Sequence, residues 1–491
     1  MSNFLIKPTS IKKSDILNKV FSLHPSEHKK IDIRNKNLKS ISQLVNYEGV
    51  GEQINVDEYL NFNSNYTLVT ISNMGECIID ETQGERISPF IYNDSTKKIS
   101  KGDVLVSRNA SLGKITLVNK DFNGILNGGI SYLKFKEDKK YYAFAFFLLD
   151  YGADYLAVIT SGGGTQKNAK RQNLLDLKIP FPTSKNHKIP ELIEKYVSVL
   201  TENIIDKKEQ IEKKLKQINE LIENELKSSF TKFSFKHPKK SAFTKSNFRL
   251  DTGLYKEDYK RIVDGITKYE KGYFSIESLK KHKWVSGSTP SVLFETNLKS
   301  DKLWIAVADI NYGLTYKRLK SFKINDKINT IEEGDILITR KGATVGKMII
   351  YLDAGYNEAF VNEDLKVLRL DLPMYDKVFI GLFLNSKYGQ VQMLSNGSKG
   401  TKQGLTNPNI LNVVIPKFPV SMIKRIAELY HNPINKEKID DLETYLESEK
   451  LRNSKIGIAQ LNLEYFELIE TLDSVIHKII TDEPITLNAK A

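Results

Sequence analysis

The chain has 491 residues, 40% hydrophobic and 27% charged, with 73 Lys and Arg against 60 Asp and Glu for a formal net charge of +13. That length exceeds what one core organises, and the composition excludes an intrinsically disordered chain. The basic excess favours a polyanionic partner, nucleic acid ahead of a membrane surface, with a generally basic proteome as the bland alternative.

The opening MSNFLIKPTSIKKSD has no apolar core of signal-peptide length, and no run reaches the ~18 apolar residues of a membrane span. A soluble, cytoplasmic protein is expected. His24 and His28 lie four apart with Pro25 between them and no obvious third ligand, so no metal site is expected. Cys77 is the only cysteine, which removes an intrachain disulfide and a cysteine-based zinc site.

NYTLVTISNMG (65–75) reads as a strand ending in Asn-x-Gly. SKGDVLVSRNASLGK (100–114) reads as a β-hairpin: a Gly102-Asp103 turn, a VLV strand, a turn containing Gly113, then ITLV. GGGTQKNAKRQNLLDLKIPFP (162–182) is a basic glycine-rich loop ending in a short strand closed by Ile179-Pro180. From Ile189 to Lys227 there is no Gly, and the only Pro, Pro190, stands where a helix start tolerates it. Apolar residues at 193, 197, 200, 204, 211, 215, 218, 222 and 226 alternate steps of three and four, broken at Lys208. That is a coiled-coil seam on a helix roughly 60 Å long. Residues 227–250 carry seven Lys or Arg and no acid, interleaved with Phe230, Phe233, Phe235, Phe243 and Phe248. A nucleic-acid contact and a solvated connector pinned to the helix both suit that stretch.

The pattern then repeats. KLWIAVADINYG (302–313) answers the first strand, EEGDILITRKGATVGK (332–347) the hairpin, and SKGTKQGLTNPNILNVVIPKFP (398–419) the loop and closing strand. Over thirteen aligned positions the hairpins share seven residues: Gly, Asp, Leu, Arg, Ala, Gly and Lys. Neither copy is a phosphate-binding loop. Gly342 lies one position too close to Gly346, Arg108 replaces the leading Gly, and Met348 and Ile115 stand where the magnesium-binding hydroxyl is needed. After the second copy, SMIKRIAELY leads to a break at Asn432-Pro433. A further seam follows through Ile458, Leu461, Tyr465, Ile469, Leu472, Ile476 and Ile479. HNPINKEK (431–438) and NSKIGI (453–458) interrupt this C-terminal region. The expected fold is α/β, two similar domains (1–185 and 230–420) joined by long helices (186–229 and 421–482) that form an antiparallel coiled coil.

The two Gly-Asp-[VI]-Leu-[VI]-[ST]-Arg hairpins with their Gly-Lys, and the two Gly-Thr…Ile-Pro closings each followed by a helix, carry a resemblance. FRLDTGLYKEDY (248–259) and SGSTPS (286–291) add to it, although in the first domain GVGEQINVDEY (49–59) stands roughly where SGSTPS would be. Nearly the whole chain resembles the DNA-sequence specificity subunit of a Type I restriction–modification enzyme. The resemblance implies two target-recognition domains that read an asymmetric, bipartite double-stranded DNA target. It implies helices that fix the spacer and dock two methyltransferase (modification) subunits, with endonuclease/translocase subunits beyond them. S-adenosylmethionine, ATP and Mg would belong to those partners; this chain would hold no cofactor and catalyse nothing itself.

Candidate DNA contacts are Arg108 and Arg340, which follow the hairpin strands, with internal pairing to Asp103 or Asp335 as the alternative. Lys114, Lys341 and Lys347 in the hairpins join them, as do Lys167, Lys170, Arg171, Lys399 and Lys402 in the glycine-rich loops. Trp284 and Trp304 read as core. Among rival readings, an adenine methyltransferase would need Asn/Asp-Pro-Pro-aromatic, and Asn407-Pro408-Asn409-Ile410 lacks the second Pro and the aromatic. A nuclease would pair acids near a lysine, as Glu363-Asp364-Leu365-Lys366 does in type, but a charged loop explains that equally. A tandem protein- or glycan-binding module with a helical stalk, or the recognition subunit of a related restriction system, completes the alternatives.

Overall fold

Gly102 and Gly334 adopt φ of +93° and +88°, which a Cβ would strain, and each turns the chain into a buried strand. The strands are Val104–Ser107 and Ile336–Thr339, and each pairs antiparallel with the next one, Ile115–Leu117 or Met348–Ile350. These are the two predicted hairpins. They belong to a computed structural model that describes the chain apart from residues 1–4, 7–9, 15–29, 56, 58, 61–63, 109–113, 150, 153, 156–170, 231–232, 237–251, 280–281, 292–293, 297–300, 312, 318, 325–328, 343, 353, 397–403, 440 and 488–491. His24, His28, Phe243 and Phe248 fall outside the described residues.

The chain divides into two units. The first comprises residues 1–209, 436–451 and 467–491; the second comprises 210–435 and 452–466. In the first unit a four-stranded antiparallel sheet runs Val45–Val50, Ile130–Phe135, Val104–Ser107, Ile115–Leu117. A second sheet runs Gly124–Leu126, Thr67–Val69, Glu85–Ile87, Tyr59–Leu60, its first pair parallel. Leu38–Ser40 pairs with the Ile-Pro strand Lys178–Pro180. Val69, Met74, Leu105, Leu126 and Tyr132 are among the buried residues of its core.

The second unit has the same three sheets. His282–Ser286, Leu365–Leu370, Ile336–Thr339 and Met348–Ile350 form the first. Ala359–Val361, Lys302–Ile305, Ser321–Lys323 and Phe294–Thr296 form the second, again with a parallel first pair. Tyr273–Ser275 pairs with Val414–Pro416 as the third. Single hydrogen bonds recur as well. Asp103 and Asp335 each accept from the backbone N–H three residues earlier at 2.8 Å. Asn127 N–H donates to Val69 O at 3.0 Å as Asn362 N–H does to Ile305 O at 3.1 Å.

This register supplies the counterpart that SGSTPS seemed to lack. Val50 opposes Ser131 and Ser286 opposes Lys366, so Gly51 and Gly287 are equivalent. A Cβ on Gly51 would lie 2.2 Å from Asn127 O, and one on Gly287 2.1 Å from Asn362 O. The backbone approach is the same, and only its glycine is shared.

Pro190–Leu226 is one continuous helix. In the first unit its early part buries Leu192 and Val199 against Leu442, and Lys195 and Glu202 pair with Glu443 and Lys450. Those pairings put Leu442–Lys455 alongside it in the same direction. The helix Ile458–Thr481 supplies the antiparallel leg: Asn186, just before Pro190, donates to the carbonyls of Lys478 and Glu483. At the seam's break, Lys208 turns out to Glu76 at 2.8 Å, while Lys207 is buried with Glu449 at 3.3 Å. In the second unit Ile211, Ile218, Ile222 and Leu226 share a core with Ile456, Ile458 and Leu461. Of the two interruptions, 431–441 separates Val420–Tyr430 from the next helix, whereas the other spans only 456–457.

Candidate nucleic-acid interface

Each hairpin delivers an arginine as its first strand ends. Arg108 N–H bonds Gly129 O at 3.0 Å and Arg340 N–H bonds Asp364 O at 3.1 Å, so the two occupy equivalent places. The turn carboxylates are engaged by other cations. Asp335 takes two Arg369 nitrogens, Nη2 at 2.7 Å and Nε at 2.9 Å. Among the described residues the cation paired with Asp103 is Lys134, at 3.8 Å. Burial therefore raises the Asp103 pKa above the ordinary carboxylate value, against the lowering by the Ser100 N–H and Lys134.

The lysines of the two hairpins differ. Lys114 Nζ donates to Ile71 O at 3.2 Å within its own unit. Lys347 has its pKa lowered, by burial first and then by Lys317. Lys317 N–H bonds Asp309 O, as Asp80 N–H bonds Asn73 O, both at 2.8 Å, so an acid in the first unit stands where the second has this lysine. Lys341 is exposed and bridges Gly404, and Leu405 N–H donates to Arg340 O at 2.8 Å. The loop bearing Lys399 and Lys402 thus rejoins the sheet beside Arg340. Lys167, Lys170, Lys399 and Lys402 lie outside the described residues, and Arg171 opens the short helix Arg171–Leu175.

Beside Arg340 in the second unit is a cleft of ≈ 200 Å³ lined by Trp284, Ser286, Gly287, Arg340, Lys341 and Lys366, with Glu363 and Asp364 at its side. The Lys366 ammonium lies 5.5 Å from the Trp284 ring centroid. Its pKa is lowered by burial and then by the Arg340 charge. Glu363 accepts a hydrogen bond from Thr289 of the SGSTPS segment, which is the main cause of its lowered pKa.

Trp284 and Trp304 are half-buried beside the cores of the second unit, and Trp304 meets Phe322 edge-on at 5.8 Å. Lys366 and Lys317 were missed as interface candidates. A strand-by-strand alignment of the two copies would have exposed the first, because Ser131 opposes Val106 as Lys366 opposes Ile338.

The catalytic alternatives find structural explanations here. Asn409 closes the start of the short helix Asn407–Leu411 by accepting from Thr406 N–H at 2.7 Å. Among the described residues no three His, Cys, Asp or Glu side chains converge to hold a metal ion, and no helix is long and apolar enough to cross a membrane. Phe230 of the basic connector stacks on Tyr388 at 5.6 Å, an anchoring contact.

Residues 34–213 match the Type I restriction modification DNA specificity domain. No curated protein gives a significant match. Among solved structures, a Type I restriction–modification system S subunit from M. genitalium aligns at 14% identity over 92% of this chain and 98% of its own, with a TM-score of 0.44. An HsdS subunit from Thermoanaerobacter tengcongensis aligns at 15% identity over 90% of this chain and 96% of its own, with a TM-score of 0.26.

Proposed function

We propose, from the match of residues 34–213 to the Type I restriction modification DNA specificity domain, that the chain is a DNA-recognition subunit carrying two such domains. One observation supports the second domain most: three sheets of the first unit recur in the second, with the same parallel pair and the same turn carboxylates. A fold that reads DNA in one copy gives its duplicate the same surfaces for a second half-site.

In this reading the chain is non-catalytic. It works in the cytoplasm with two methyltransferase subunits, which bind S-adenosylmethionine and methylate adenine. Endonuclease/translocase subunits use ATP and Mg. The long helices act as a ruler: half-site centres engage well at about one turn of DNA, ~34 Å, and a helix holds such a spacing where a flexible linker would blur it. Phosphate contacts supply most of the affinity. With about eight of them, log K falls against log salt with a slope near −7. Arg108, Arg340, Lys114, Lys341, Lys347 and the loop cations Lys167, Lys170, Arg171, Lys399 and Lys402 are the proposed contacts. Bidentate base contacts add ~1–3 kcal/mol of discrimination each.

A genome-wide map of methylated adenine, with and without this gene, tests the reading. A split, asymmetric motif that vanishes on deletion supports it and gives the target directly. A motif that persists transfers the weight to a tandem protein- or glycan-binding module.

A further inference from the structure

The two units share a scaffold but differ at the hairpin's flank. Leu133 opposes Glu48 as Leu368 opposes Trp284, and Ser131 is the equivalent of Lys366. The first unit therefore has a carboxylate and a hydroxyl where the second has an indole and an ammonium. The cleft is left with a positive excess, since three cations, Arg340, Lys341 and Lys366, line it against two carboxylates, Glu363 and Asp364. Asp335 is committed to Arg369, and Glu363 accepts from Thr289. The charge that acts on Lys366 is that of another cation, Arg340. Two cations held together against burial and mutual repulsion are costly unless an anion joins them. The aromatic wall of Trp284 keeps Lys366 from swinging away.

We propose that this cleft of the second unit holds one DNA backbone phosphate between Arg340 and Lys366, with Lys341 at its rim, and that the first unit has no equivalent seat. The inference rests on the DNA-recognition reading and deepens it: the two halves of the target are gripped unequally. Phosphate rather than a base edge is the ligand because the two non-bridging oxygens of a tetrahedral phosphodiester monoanion accept from a guanidinium and an ammonium at once, with no requirement for coplanarity. The depressed Lys366 pKa agrees, since a bound phosphate would restore it.

The test uses the full chain co-expressed with its methyltransferase, and two duplexes, one bearing the mapped motif and one unrelated. Binding constants are measured between 50 and 200 mM salt for the native chain, Lys366→Ser (the residue the first unit carries) and Lys366→Arg. Losing one phosphate lowers the salt slope by about 0.9, so the affinity lost over that range shrinks about 3.5-fold. The expected result is that change for Lys366→Ser on both duplexes, a native slope for Lys366→Arg, and thermal stability of Lys366→Ser no lower than native. An unchanged slope for Lys366→Ser overturns the inference alone, as does relaxed preference at one motif position with the slope intact. A native complex whose binding ignores salt overturns the DNA reading itself.

Discussion

Glu449→Ala isolates the energetics of the long helix. Lys207 and Glu449 are 0% and 6% exposed at their side chains, with Nζ to Oε2 at 3.3 Å, and Asn203 Nδ2 also donates to that oxygen at 3.3 Å. Both ions have left water, so their attraction offsets a desolvation cost of several kcal/mol each. Removing the carboxylate takes away the counter-charge 3.3 Å from Lys207 Nζ where water cannot replace it. The expected loss is about 3–5 kcal/mol. Hydrogen exchange of the backbone amides around Thr201–Lys207 reads the local opening free energy separately from the second unit. Lys207→Met with Glu449→Leu removes both charges at similar volume and should return to within about 1 kcal/mol of native. A Glu449→Ala loss below about 1 kcal/mol would match a solvated surface pair instead and refute the account of a buried ion pair.

Gly51→Ala and Gly287→Ala should each destabilise by about 1–3 kcal/mol, because the added methyl meets a carbonyl oxygen that belongs to backbone and cannot yield. Urea unfolding of each variant checks this, and a change under about 0.5 kcal/mol in either would contradict the close approach. Asp335→Asn should cost about 1.5–3 kcal/mol through its charge-assisted bonds to Arg369, whereas Asp103→Asn should cost less, since its cation, Lys134, stands off at 3.8 Å. The Asp103 pKa is raised on folding, so its stabilising share is complete below the ordinary Asp value of ~3.9 and is lost as pH rises through the raised value. Thermal unfolding across mildly acid pH should therefore lose part of its pH dependence in Asp103→Asn, and an unaltered profile would rule out Asp103 as its source.

How much was legible in the sequence follows from which forces act locally. The hairpins were readable because Gly-Asp turns and alternating apolar runs are set by backbone sterics and a period of two. The central helix was readable from its seam and from the absence of Gly and Pro. What escaped was set by pairing between distant strands. GVGEQINVDEY could be placed only roughly against SGSTPS because the glycine they share is fixed by a carbonyl that comes from residue 127 or 362, far along the chain. The direction of Leu442–Lys455 along the central helix escaped for the same reason: it depends on Lys195–Glu443 and Glu202–Lys450, pairs 248 residues apart. Lys207 was invisible because a buried lysine in a seam reads as a solvated one until its acid is known.

The equivalences also explain how one chain can carry two different surfaces without two folds. Positions that hold the scaffold (the turn aspartates and the close-approach glycine) are the same in both units and contact backbone or buried charge. Positions that differ most in chemistry, Glu48 against Trp284, Asp80 against Lys317 and Ser131 against Lys366, lie around the hairpin at sites whose side chains carry no shared bond. Ser131 is buried where Lys366 is half-buried, so a change at these positions alters charge and exposure beside the hairpin while the sheets keep their register. Side chains can change at such positions at small cost in stability, because the interactions that fix the fold lie elsewhere in the same hairpin.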